Sequence, residues 1–139
     1  MTIYAVIDTN VIISSLLTSN QKSPTLFIIK AIEKNKLTPV YSDYLLSEYV
    51  DVLSRSKFCI PENLQKGIVE SFKHYGIRFE PVHKEIEMPD QDDVPIFLIT
   101  MQTRDLDTYL VTGNTRHYPP VDYVVSPKKM MAIIEEQSQ

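Results

Sequence analysis

The chain reads as an α/β protein with helices covering a mainly parallel sheet. Three observations predict this class. Short β-prone runs alternate with helical stretches that open on capping residues. The runs at residues 3–7 and 109–111 are continuously apolar rather than alternating, as strands buried on both faces require. Finally, 139 residues with 43% apolar and 23% charged content suit one ordinary core, able to bury about two thirds of the unfolded surface.

IYAVI (residues 3–7) is the first strand and stops at Asp8, Thr9 and Asn10, a polar cluster placed to cap the helix VIISSLL. Ser23 and Pro24 supply an N-cap and a first-turn proline for a second helix, whose apolar positions Leu26, Phe27, Ile29 and Ile32 precede Asn35. LTPVYS (residues 37–42) is the second strand despite Pro39, and Ser42 caps the helix DYLLSEYVDVLSR. Pro61 opens the helix ENLQKGIVESFKHY, which Gly76 is expected to close as a left-handed C-cap. IRFEPV is the third strand. DQDDVPIFLITMQT starts with capping aspartates, and its length favours a helix over a buried strand. YLVT and VDYVV are the last two strands, and Ser126-Pro127 caps the closing helix KKMMAIIEE.

Composition excludes several classes. Cys59 is alone, so no intrachain disulfide forms, and His74, His83 and His117 lack zinc-site spacing. No basic-then-apolar leader is recognisable, and Asp8 and Asn10 interrupt the longest apolar stretch; a protein with no membrane span, in a reducing cytoplasm, is expected. The formal charge of -4 gives no global attraction to nucleic acid, so such a partner requires a local basic face or a bound cation.

Ligands of parallel sheets gather beyond the carboxyl ends of the strands. That rule singles out Asp8, which ends the first strand, and Asn114, which follows the fourth. Glu48 falls at the edge of a helical face made by Leu45, Leu46, Tyr49, Val50, Val52 and Leu53, while Asp51 points away. Asp90, Asp92 and Asp93 crowd a helix start, where the macrodipole tolerates them. Each acid has a plain structural alternative: a cap for Asp8, a solvated rim for Glu48, surface charge for the aspartates. Acids from three elements can nevertheless converge on one sheet edge. A carboxylate set without His or Cys suits Mg²⁺ or Mn²⁺, and the bound ion would turn a negative pocket into one that accepts phosphate. Arg104, Arg116, Lys128 and Lys129 are the basic residues available for a rim.

VIDTN, Ser47-Glu48, DQDDVPIFL, YLVTGNTRHYP and VVSPKKMM, in this order and spacing, resemble the motifs of the PIN-domain family, especially the members assigned as toxins of toxin-antitoxin pairs. The resemblance implies a single PIN-like domain over residues 1–139, a three-layer α/β/α sandwich around about five mainly parallel strands. It also implies a cytoplasmic endoribonuclease that hydrolyses single-stranded RNA with one or two Mg²⁺ or Mn²⁺ ions, leaving 5′-phosphate and 3′-hydroxyl ends. Asp8, Glu48 and Asp93 take the catalytic and metal-binding positions; Asn10, Asp92, Thr112, Asn114 and Arg116 take supporting or substrate positions. A homodimer and a cognate antitoxin are the implied partners. Asn114 stands where many members carry a fourth aspartate, and its amide keeps an acceptor oxygen while removing a charge. That departure leaves an alternative open, a catalytically inactive PIN-fold module binding RNA or protein. A receiver-like domain is a second alternative, but the stretch IRFEPVHKE lacks the acceptor aspartate it needs.

Overall fold

A computed structural model describes residues 2–137; the two ends of the expected domain, Met1 and Ser138-Gln139, lie outside the described residues. Five strands run parallel in the order β3-β2-β1-β4-β5. They are β1 (Tyr4–Ile7), β2 (Thr38–Tyr41), β3 (Ile77–Arg78), β4 (Tyr109–Val111) and β5 (Val124–Val125). Among the described residues six α-helices complete an α/β sandwich: α1 (Thr9–Leu17), α2 (Pro24–Glu33), α3 (Asp43–Leu53), α4 (Glu62–Tyr75), α5 (Val94–Gln102) and α6 (Pro127–Gln137).

The chain moves outward from β1 through β2 to β3, then returns past β1 to β4 and β5. Right-handed crossovers place the connecting helices of such outward and return paths on opposite faces. The packing follows this: α1 touches α2 and α3, α2 touches α4 and α6, and α3 touches α4, whereas α5 lies against β1 and β4 and, among the α-helices, meets α3. The reversal makes the β1/β4 boundary a topological switch point.

Local chemistry explains the elements. β1 and β4 are buried beyond their first residues, as their unbroken apolar runs require. Ser42 Oγ accepts from the Leu45 amide at 3.1 Å, capping α3, and Ser126 Oγ accepts from the Lys129 amide at 3.1 Å, capping α6. α2 ends in a Schellman arrangement, with the Lys36 amide bonded to Ala31 O and the Asn35 amide to Ile32 O; Asn35 adopts φ 58°, which asparagine tolerates. α5 is helical although buried almost all round, with Ile96, Phe97, Leu98, Ile99 and Thr100 inside. A helix apolar on every side belongs in a core. Tyr49 and Phe72 meet edge to face there, with centroids 5.2 Å apart, joining α3 to α4.

Four expectations change. Gly76 does not adopt a left-handed conformation; its φ is -101°. The need for glycine comes from crowding, because a Cβ here would stand 2.5 Å from both Phe72 O and Pro39 O. Gly76→Ala is therefore expected to cost about 1–3 kcal/mol, read from the shift of a urea unfolding midpoint. Val50 is not part of the buried face of α3 but is 51% exposed. The third strand keeps only two residues plus one further bond, from the Phe79 amide to Tyr41 O at 2.7 Å, before Pro81 removes a donor. The fifth strand is shorter than VDYVV because turns bonded from Val121 to Pro119 O and from Val124 to Val121 O consume its first residues.

Candidate functional site

The sheet register builds the centre of the site. Val6 lies opposite Leu110 and Ile7 opposite Val111, so Asp8 and Thr112 leave the sheet side by side at the carboxyl ends of β1 and β4. The Asp8 amide bonds to Val111 O at 2.9 Å, which fixes the backbone at this point. The Asp8 side chain does not cap α1. Instead its Oδ2 accepts from Thr112 Oγ1 at 2.8 Å and Tyr118 Oη at 3.0 Å, with a long contact from Asn10 Nδ2 at 3.5 Å. Only 8% of Asp8 remains exposed, so a carboxylate that forgoes capping is held nearly buried by neutral donors.

Those donors are themselves fixed. Thr112 Oγ1 also accepts from the Asn114 amide at 3.0 Å, and Asn10 Oδ1 accepts from the Gly113 amide at 3.0 Å. The loop after β4 is thereby tied to the start of α1. Tyr118 packs against Phe97 of α5 with centroids 6.1 Å apart. Burial first, then the charges of Asp8 and Asp93, hold the Tyr118 phenol above its ordinary pKa, so it stays a donor at neutral pH.

Glu48 reaches the same edge through α3. The neighbouring Tyr49, fully buried, donates its hydroxyl to Ile7 O at the end of β1 and pins the helix there. Half-buried Glu48 then accepts from Thr9 Oγ1 at 2.7 Å. Its pKa is raised, first by burial, against the opposing Thr9 hydrogen bond, and further by the charges of Asp8 and Asp92. Asp93 closes the third side, just before α5. Its pKa is pushed up to about 6, first by burial and then by Asp8 and Asp90, with His117 opposing and Glu48 adding. His117 Nδ1 stands 3.9 Å from Asp93 Oδ2.

Asp8, Glu48 and Asp93 thus share one electrostatic environment, each pair carrying a repulsion that one of their pKa shifts registers. Among the described residues, no three His, Cys, Asp or Glu side chains already form a cluster able to hold a metal ion. The donor set still fits a hard divalent cation, because Mg²⁺ keeps several waters and is bound by one or two carboxylates rather than a protein cage. Uncompensated repulsion between partly buried acids is what such a cation relieves.

The other expected positions divide. Asn10 and Thr112 join the network. Asp92 is exposed, its amide donating to Asp90 Oδ1 at 2.9 Å in the turn before α5. Asn114 is exposed and contributes its backbone, through the amide bond to Thr112 and a carbonyl that accepts from the His117 amide at 3.0 Å. Arg116 is exposed and lines an open cavity of about 450 Å³ with Tyr118 and Pro119. Lys128 and Lys129 are exposed just past the carboxyl end of β5. Arg104 is not a rim residue: it donates to Thr108 O at the opposite end of β4 and stacks on Tyr123 at 4.1 Å. A separate cavity of about 350 Å³, where Lys22, Lys30, Lys34 and Lys36 surround Phe27 and Met131, contains none of the acids.

Thr9 and Tyr118 were not singled out from sequence. Thr9 sits in VIDTN, where hydroxyl adjacency to Asp8 is a usable signal; Tyr118 sits in YLVTGNTRHYP, but its bond to Asp8 spans 110 residues and no local pattern points to it.

The fold is an α/β sandwich whose parallel sheet reverses its strand order between β1 and β4, where the nearly buried Asp8 stands. The chain belongs to the PIN-domain family: the family model described as PIN domain matches residues 4–116, a span that includes Asp8, Glu48 and Asp93. PIN domains are generally nucleases. Neither the curated proteins nor the solved structures compared with it gave a match. No helix among the described residues is long and apolar enough to cross a membrane.

Proposed function

We propose that the protein is a Mg²⁺- or Mn²⁺-dependent endoribonuclease acting on single-stranded RNA, the toxin of a toxin-antitoxin pair. The observation that carries this reading is the Asp8 carboxylate, nearly buried at the switch point and held by two hydroxyls, with its charge felt at Glu48 and Asp93. Asp8 and Asp93, with Glu48 directly or through water, would hold one or two ions, which when bound lower the pKa of water and stabilise charge on phosphoryl oxygens. Thr112 and Tyr118 orient Asp8 through its Oδ2, and Thr9 orients Glu48 through its Oε2, which would leave the other oxygen of each for an ion. Arg116, Lys128 and Lys129 offer the positive rim that guides a phosphate backbone past the acids.

The test is cleavage of an end-labelled, unstructured RNA in Mn²⁺ against excess chelator. Internal cuts that leave 5′-phosphates and vanish on chelation are expected. Intact RNA in Mn²⁺, from protein shown to be folded, would favour the inactive binding module instead. Growth arrest on expression, relieved by the adjacent gene product, would be the toxin phenotype. Tyr118→Phe removes one of the two hydroxyl donors while keeping the ring on Phe97, and is expected to lower the cleavage rate about 10-fold. Circular dichroism of that variant should be unchanged.

A further inference from the structure

Beside the acids lies a cleft of about 450 Å³ that the reading above leaves unused. Its apolar lining is Pro81, Val94, Pro95 and Leu98, together with Tyr44, which remains 46% exposed. Two covalent relations tie it to the site. Tyr44 and Glu48 are four residues apart on α3 and so share a helix face, and Val94 directly follows Asp93. Tyr44 also senses the charges of Glu48, Asp92, Asp93 and Asp90, which, after burial, raise its pKa. The lining also carries His83 and Glu80, the latter 3.6 Å from the Arg78 guanidinium, so the uncompensated charge lies on the Tyr44 side, where every charge that acts on the phenol is that of an acid.

That charge decides among occupants. A phosphate or an acidic peptide is repelled here, whereas an uncharged ring is not. An exposed aromatic ring among apolar lining residues is a surface on which unpaired bases stack, at a gain that does not depend on base identity. We propose that this cleft is a nucleobase subsite, in which Tyr44 stacks on an unpaired base neighbouring the phosphate held at Asp8, Glu48 and Asp93. The proposal rests on the nuclease reading for its substrate and makes Tyr44 a positioning residue. It also explains how an acidic protein engages an anionic polymer: the bases enter the negative cleft while the backbone faces the basic rim.

The experiment uses short single-stranded RNAs carrying 2-aminopurine at successive positions, bound to the protein with its acids intact in Ca²⁺, a hard cation used in place of Mn²⁺ to keep the RNA uncut. One position should show stacking-induced quenching. Tyr44→Ala should abolish the quenching and weaken binding about 5- to 100-fold, Tyr44→Trp should restore both, and an abasic nucleotide at that position should make binding insensitive to Tyr44→Ala. In the cleaving protein, Tyr44→Ala should raise KM more than it lowers kcat, with an unchanged Tm. Equal RNA affinity with tyrosine or alanine, or additive losses from Tyr44→Ala and the abasic nucleotide, would overturn the subsite while leaving cleavage intact. Quenching in a wild-type protein that never cleaves RNA would keep the subsite and remove the nuclease. Absence of any RNA binding would overturn the subsite.

Discussion

Asp8→Asn is expected to lower RNA cleavage by about 10²–10³-fold, corresponding to about 3–4 kcal/mol of transition-state stabilisation, without unfolding the protein. The amide oxygen can still accept from Thr112 and Tyr118, so the local network survives. What disappears is the negative charge that a divalent cation requires. The partners of the Asp8 carboxylate, Thr112, Tyr118 and Asn10, are all uncharged, so removing the charge relieves a buried anion. The metal-free variant should therefore melt at the wild-type temperature or above it. Single-turnover cleavage and a thermal melt on the same preparation check both halves. Cleavage at the wild-type rate would remove Asp8 from the chemistry, whereas a collapse of Tm would make its role structural.

The second large effect is a pH-dependent response to manganese. Asp93 titrates at about 6 and Glu48 is shifted upward, so the folded protein holds more protons on these groups than the unfolded chain does. Their contribution to stability is complete below the ordinary carboxylate range and is lost as pH rises from about 4 through about 6. A cation bound at these acids replaces the protons and reverses the trend. At 100-fold excess over Kd, Mn²⁺ should add about 2.7 kcal/mol, or about 10 °C in Tm for a domain of this size. The gain should be near its full value at pH 7.5 and clearly smaller at pH 5, where protons compete for Asp93. Asp8→Asn should abolish the gain and, by removing the leading charge that acts on Asp93, move the midpoint of the pH dependence downward. A manganese shift equal at both pH values would place the ion elsewhere.

Much of the architecture was legible because it rests on local signals. The unbroken apolar runs at β1 and β4, the serine caps of α3 and α6, and the prolines that open α2 and α6 each identify an element without tertiary information. Strand ends were less legible. β3 and β5 are edge strands whose lengths depend on how far a neighbour extends, and the turns at Pro119 and Val121 compete for the same backbone groups. Gly76 shows a further limit: its sequence position suggests a left-handed cap, but glycine is demanded by two crowding carbonyls, one of Phe72 in its own helix and one of Pro39, 37 residues away by the numbering.

The candidate site divides along the same line. Asp8 was accessible from the rule that strand ends at a switch point bind ligands, and Glu48 from its place at the margin of a helical face. The choice of Asp93 over its neighbours came from family spacing, since Asp90, Asp92 and Asp93 are equivalent as capping residues. In the fold, Asp90 holds the turn and Asp92 faces solvent, leaving Asp93 as the half-buried member. Tyr118 was hidden because its hydrogen bond exists only once β1 and β4 are paired and α5 packs beneath the ring.

The central claim is that folding gathers Asp8 and Asp93 around one divalent cation. Crystals grown with saturating Mn²⁺, measured at a wavelength where manganese scatters anomalously, test it directly. An anomalous peak about 2.1 Å from a carboxylate oxygen of both Asp8 and Asp93 is the expected result. Ordered manganese bound only at other surface acids, with Asp8 and Asp93 sharing no peak, would contradict it.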